Sequence, residues 1–288
     1  MREKLLNQLA DEAKKSTSDV YDIAVMDESG ISAVRPVFSS YAHDYYSVAK
    51  AFITAGILVL FDQKKLSPDD FIYPVLKPYF PASYDKNWEK VRVRDCITHR
   101  MGISRGFLDI DCENQLDFGN DWLKYSFSNI DIVNEPGEVF CYSDGAFYIL
   151  GRIIEEISGI EASRFIARYI TNPMEFRDNA WTMDPDGHVV GGSGFYASAE
   201  DAVKLPWLYV NGGVYKGKQI ISQETVFLAL RNDFGLSRCS GRNIYTKGGM
   251  YGQIVLADCD NRLAVSWHSF DRDGICDRLS DIVSHFRP

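Results

Sequence analysis

Apolar positions mark the elements along this chain. Near the start, Leu5, Leu6, Leu9 and Ala13 recur at helical spacing, with acidic and basic residues between them, and predict an amphipathic helix. "DVYDIAVMD" and "ISAVRPVFS" then read as two strand-like runs hinged on "ESG", a hairpin pattern. From Ser47 the chain turns apolar on every side, "SVAKAFITAGILVLFDQKK", which predicts a buried helix ending near Lys65. "LSPDD" reads as a fresh helix start, with Ser67 as N-cap and Pro68 in the first position. Residues 67 to 175 carry mostly helix and loop patterns. The clearest is "FYILGRIIEEISG", apolar at Ile149, Leu150, Ile153, Ile154 and Ile157 and closed by Gly159. Strand signals return in "GGMYGQIVLADCDNRLAVSWHSF", two strands around the turn "DCDN", and "GICDRLSDIVSHF" closes the chain as an amphipathic helix. Strands at both ends with helices between them predict an α+β fold. Its antiparallel sheet would be flanked by helices and built from residues 1–46 and 180–288, interrupted by a mainly helical domain over 47–179.

Composition narrows the possible partners. The chain has 288 residues, 45% of them hydrophobic and 25% charged, the balance of a globular protein with a sizeable core. Its formal net charge is -9, and the basic clusters are as short as Lys64-Lys65, so nucleic acid and anionic membrane are excluded as expected partners. No stretch has the length of a membrane span, and the first residues lack a secretory pattern. With Met1 as the native start, this predicts a cytoplasmic protein. The six cysteines form no C-x-x-C and no zinc spacing with histidine, and read as small buried hydrophobes in a reducing compartment. No H-E-x-x-H is present. "DIDCEN" at 109–114 follows a calcium loop for three ligand positions, then has Asn114 where glycine is needed, and reads as a solvated acidic loop. No metal and no cofactor are expected. The expected partner is a small molecule, and the oligomeric state is left open.

The buried helix poses a chemical question, because its first turn holds Ser47 and Lys50. Three apart, they share one helix face. A lysine in a dry interior costs several kcal/mol unless it is paired or neutralised, and beside a hydroxyl it can exchange a proton with it. The S-x-x-K spacing is weak alone, since about one chance match is expected in a chain this long. A second match, Ser83-Tyr84-Asp85-Lys86, has no apolar helix behind it to bury the lysine. Two further stretches could serve chemistry. Tyr142, Ser143 and Asp144 lie between the turn Pro136-Gly137 and the strong helix that follows. Lys247, Gly248 and Gly249 are read at a strand start, where glycines admit a close backbone or ligand. "GGSGFYASAED" at 191–201 reads as structural.

In this order S-x-x-K, P-G-E-x-F-x-Y-S-D and K-G-G resemble the serine beta-lactamase and penicillin-binding-protein superfamily. The similar branch is that of class C beta-lactamases, DD-peptidases and related esterases. "VRVRDCITHRMGIS", "YILGRIIEEISG" and "GGSGFYASAEDAVKL" are similar to further segments of that branch, so the resemblance runs from about residue 20 to the C-terminus. It implies a beta-lactamase/transpeptidase-like fold with the active site at the junction of the two domains. It implies Ser47 as the acylated nucleophile, Lys50 as its lysine, Tyr142 as the tyrosine of Y-x-N, and Lys247, Gly248 and Gly249 as the K-T-G strand. The backbone N–H groups of Ser47 and Met250 would form the oxyanion hole.

Three departures bear on the substrate. Asp144 stands where antibiotic-directed members often have asparagine, and a carboxylate cannot donate an N–H to a substrate amide. Its charge would favour the ammonium form of Lys50, leaving Tyr142 as the base. Gly248 replaces the threonine of K-T-G, and Arg100 and Met101 replace small residues beside His99. The expectation is therefore a serine hydrolase acting through an acyl-enzyme on a small ester or amide, foremost a carboxylesterase. The alternatives are a beta-lactamase or DD-peptidase, and a catalytically silent binding or assembly module.

Overall fold

The structure, a computed structural model, describes residues 1–239 and 242–287. They fall into two compact units, one of Met1–Ala51, Asn172–Ala180 and Phe195–Pro288, the other of Phe52–Thr171 and Trp181–Gly194.

The first unit is built on a six-stranded antiparallel sheet. Its strands are β1 (Asp19–Asp27), β2 (Gly30–Val34), β3 (Ser237–Arg238), β4 (Ile244–Gly249), β5 (Gln253–Asp258) and β6 (Leu263–Phe270), in the order β2-β1-β6-β5-β4-β3. On one face lie the first helix, α1 (Arg2–Lys15), and the last, Ile275–His285. Leu5, Leu6, Leu9 and Ala13 of the former and Ile275, Leu279 and Val283 of the latter form one core with Ile23, Val25, Leu256, Val265 and Trp267. The opposite sheet face carries small residues, Ala24, Ala257 and Ala264, and the helix Lys204–Val210 packs on β1, β5 and β6. With both faces covered, β6 is buried along nearly its whole length, its polar residues Ser266, His268 and Ser269 included.

The second unit is mainly helical. The apolar helix α2, Ala49–Asp62, belongs to this unit from Phe52 onward, and α3 runs Gly145–Ser158 with Ile149, Leu150, Ile153 and Ile154 buried. Gly159 stops α3 in the left-handed conformation, φ 68°, as its position after the last apolar residue predicts. No helix of the described residues is long and apolar enough to cross a membrane.

Four local expectations are corrected. Ser67 does not start a helix. Its turn forms, with Asp70 Oδ2 accepting from Ser67 N–H at 2.8 Å, but the Pro68 and Asp70 carbonyls accept from Arg94 and Val93 N–H, so no intrahelical ladder grows from them. A short helix begins only at Ile72. The second strand ends at Val34, because Pro36 has no N–H to continue a ladder. Gly248 and Gly249 end a strand instead of starting one, and the turn Met250–Gly252 separates them from β5. Of the six cysteines only Cys96 is buried, and Cys112 is exposed.

Candidate active site

In the sheet unit, the chain reaches Ser47 through a constrained turn. Tyr46 to Val48 form one 3₁₀ turn that leads directly into α2 at Ala49. Tyr45, fully buried, anchors it. Its N–H donates to the Phe195 carbonyl at 2.8 Å, its carbonyl accepts from Val48 N–H at 3.0 Å, and its hydroxyl lies 2.6 Å from Ser266 Oγ. Burial pushes the Tyr45 phenol well above its ordinary pKa, so it serves as a neutral hydrogen-bonding strut. Beneath its ring, at 3.8 Å between centroids, lies His268, whose Nδ1 is 2.5 Å from Asp22 Oδ1. Asp22 also accepts from Ala199 N–H at 2.8 Å. Burial would raise the Asp22 carboxyl, but the pull of His268 and these hydrogen bonds outweigh it and hold it below the usual carboxylate range.

From this turn Ser47 and Lys50 face each other. Lys50 Nζ donates to Ser47 Oγ at 3.0 Å, and Lys50 is 1% exposed while Ser47 is half-buried. Strand β4 reaches the same turn. A Cβ at Gly249 would drive into the Tyr45 carbonyl oxygen and come 3.3 Å from Ser47 N, so only glycine lets the two backbones approach. Side chains two apart on a strand share a face. Lys247, half-buried and opposite Val255, therefore projects from the face of β4 that Gly249 turns to the Ser47 turn. Gly248 is exposed on the other face, and Met250 begins the next turn one residue past Gly249. Ser47, Lys50, Lys247 and the Gly249–Met250 backbone thus converge within one unit.

In the helical unit, Tyr142, Ser143 and Asp144 form the approach to α3. The Tyr142 ring, 40% exposed, stacks on His99 at 4.4 Å with 26° between planes. Ser143 N–H donates to His99 Nδ1 at 3.1 Å, which leaves the imidazole proton on Nε2. The Cys141 N–H donates to the His99 carbonyl at 2.8 Å, so one histidine holds the loop through both ring and backbone. Asp144 is buried at the N-terminus of α3, where the helix dipole favours a carboxylate. Gly192 passes directly over it, since a Cβ there would come 2.5 Å from Asp144 Cβ. The glycine at 192 therefore lets this stretch of chain pack closely against Asp144. His99 and Gly192 were both in view in the sequence, but no spacing rule ties either to Tyr142 or Asp144.

Asp109, Asp111 and Asp144 carry oxygens within 4.8 Å of one another, the one group among the described residues that could hold a metal ion. Part of that acidity is absorbed locally, as Ser193 Oγ donates to Asp111 Oδ2 at 2.8 Å. The charge is felt nearby, where Asp109 first, then slight burial and the charges of Asp111 and Asp144, raise the Cys112 thiol.

Comparison with known proteins bears on fold and family. The Beta-lactamase family model matches residues 31–278. A penicillin-binding protein homolog from Caulobacter crescentus superposes with TM-score 0.78 at 14% identity, covering 98% of this chain and 97% of that one. EstCE1, a hydrolase with promiscuous acyltransferase activity, superposes with TM-score 0.74 at 15% identity, covering 98% of each chain. In sequence, the chain is 26% identical over 229 residues to "Putative penicillin-binding protein PbpX" of Bacillus subtilis (strain 168), covering 71% of this chain. It spans 54% of that relative's length. The mixed helical and antiparallel-sheet fold is thus the beta-lactamase/transpeptidase-like fold. The chain belongs to the beta-lactamase family.

Proposed function

We propose that this chain is a serine hydrolase that works through an acyl-enzyme on a small ester or amide, foremost as a carboxylesterase. The observation that carries this reading is the 3.0 Å hydrogen bond from Lys50 Nζ to Ser47 Oγ, made by a lysine that is 1% exposed. A lysine with no chemical task extends its ammonium to water, and burying it costs several kcal/mol. Here that cost is accepted beside a serine in the 3₁₀ turn that leads into a buried helix. In the proposed reaction Ser47 Oγ attacks the substrate carbonyl carbon and its proton passes to Tyr142. The oxyanion is met by the N–H groups of Ser47 and Met250. The leaving group departs with a proton, and water then releases the acyl group by the reverse path. In this reading Lys50 holds and polarises Ser47 while Tyr142 exchanges the proton.

The preference for simple esters rests on two residues. Asp144 has no N–H to offer a substrate amide, and Gly248 has no hydroxyl for a substrate carboxylate. A beta-lactamase or DD-peptidase is the second reading, supported by the names of the penicillin-binding relatives. A fluorophosphonate probe followed by peptide mass mapping tests the shared step. The expected result is one adduct, on Ser47. Modification of Ser83 would overturn the choice of nucleophile, and no modification would leave a catalytically silent binding module.

A further inference from the structure

Ser47 and Met250, the two residues whose N–H groups are assigned to the oxyanion, each have an aromatic neighbour in an unusual backbone state. Tyr46 precedes Ser47 with φ 46°, and Tyr251 follows Met250 with φ 61°. Bulky residues rarely adopt positive φ, and they keep it only where the surroundings impose it. Both are held. Tyr46 N–H donates to Asp44 Oδ1 at 2.7 Å. The Tyr251 carbonyl accepts from Asp271 N–H at 3.0 Å and from Ser269 Oγ at 3.3 Å.

The outcome of this constraint is a ladder of rings. Tyr46 meets Tyr251 edge to face at 5.4 Å, and Tyr251 stacks on Phe270 at 4.9 Å and 23°. Tyr251 and Phe270 remain 45% and 37% exposed. Single exposed aromatics are ordinary on a protein surface. Three in register, two of them in strained turns at the proposed oxyanion donors, form a prepared surface. At its outer end the Arg272 guanidinium lies 5.1 Å from the Phe270 ring centroid and already pairs with Asp19 at 2.8 Å. The ladder therefore offers exposed aromatic surface beside a compensated charge, which suits a neutral ring better than an anion.

We infer that Tyr46, Tyr251 and Phe270 form a specificity-determining subsite for a neutral aromatic group on the substrate. This rests on the serine hydrolase reading for its substrate class, while the ladder itself can be tested by binding alone. Two matched pairs of esters locate the group. One pair, 4-nitrophenyl acetate and 4-nitrophenyl phenylacetate, varies the acyl side. The other, methyl acetate and benzyl acetate, varies the leaving group.

The wild-type protein should favour the ring-bearing member of at least one pair by roughly tenfold in kcat/KM. Tyr251→Ala and Phe270→Ala should each cut that ratio several-fold, and Tyr251→Phe, which keeps the ring, should retain it. A second arm needs no acylation. Ser47→Ala protein should hold phenylacetamide roughly tenfold more tightly than acetamide by ligand-observed NMR, and adding Phe270→Ala should remove the difference. Equal affinities, or ratios that neither alanine variant moves, overturn the ladder even if Ser47 is acylated. Ring-dependent binding in a protein that no ester acylates would keep the ladder and remove the hydrolase reading.

Discussion

The serine turn of the sheet unit and the tyrosine loop of the helical unit are positioned by different means. Ser47 is set by main chain. The 3₁₀ turn, the Tyr45 carbonyl and the glycine-only approach of β4 determine where it lies, and its partner Lys50 is dry. Tyr142 is set by side chain. A half-exposed ring leans on His99, whose Nδ1 also catches Ser143 N–H. Main-chain register leaves a nucleophile few alternatives, whereas a stacked ring keeps some freedom to move. The serine turn is thus the rigid half of the proposed chemistry and the tyrosine loop the adjustable half.

The largest test of this contrast is Tyr142→Phe. Losing only the hydroxyl should lower ester turnover by roughly two to four orders of magnitude, with a melting curve like wild type. Unchanged turnover in a folded variant removes Tyr142 from the mechanism and leaves the serine turn self-sufficient.

Next comes the support beneath the rigid half. Asp22→Asn takes the charge from a buried partner of His268 and should cost roughly 3 kcal/mol of stability near neutral pH. The sign follows from the lowered Asp22 carboxyl, which faces His268, His43 and Ala199 N–H. Its contribution is present above the ordinary carboxylate range and is lost as pH falls through its depressed value. The gap in Tm between wild type and Asp22→Asn should therefore narrow as melting is repeated from pH 7 toward strongly acid solution. A constant gap would show that the carboxylate charge is not what stabilises the turn.

His99→Phe probes the adjustable half more gently. A ring remains for Tyr142 to stack on, but the Ser143 N–H loses its acceptor, at a cost of about 1–3 kcal/mol. Turnover should fall because the loop loosens, and KM should rise less than kcat falls. Full activity with a lowered Tm would make His99 a purely structural residue.

The smallest expected effect is that of Asp144→Asn. The asparagine gains an N–H that the carboxylate lacks, so it should narrow the preference for simple esters over a substrate bearing an amide side chain. The wild-type protein should also hydrolyse small esters at least about tenfold more efficiently than a cephalosporin. An unchanged preference in Asp144→Asn, or efficient cephalosporin turnover by the wild type, would favour the beta-lactamase reading over the esterase.

Much of the architecture was legible because its signals are local. The spacing of Leu5, Leu6, Leu9 and Ala13, the apolar run that follows Ser47, and the stop at Gly159 each depend on residues within a few turns, and α1, α2 and α3 form there. Ser67 was misread for the complementary reason. Its capping turn is local, but the carbonyls that would propagate a helix are taken by N–H groups about 25 residues later. At the candidate site, the residue types and their order along the chain were readable. The neighbours that hold them were not, because His99 lies 43 positions from Tyr142 and Gly192 lies 48 from Asp144.

By itself the sequence determined where α1, α2, α3 and the closing helix lie, which lysine begins a buried helix, and the family to which the chain belongs. Those properties follow from short-range periodicity and from residue identity. Only the tertiary structure decided that Lys50 reaches Ser47, that Gly249 admits β4 to the Ser47 amide, and that Tyr46, Tyr251 and Phe270 stand in one ladder. Each of these depends on backbones brought together by sheet register and turn conformation across long stretches of chain, and no local pattern encodes such a distance.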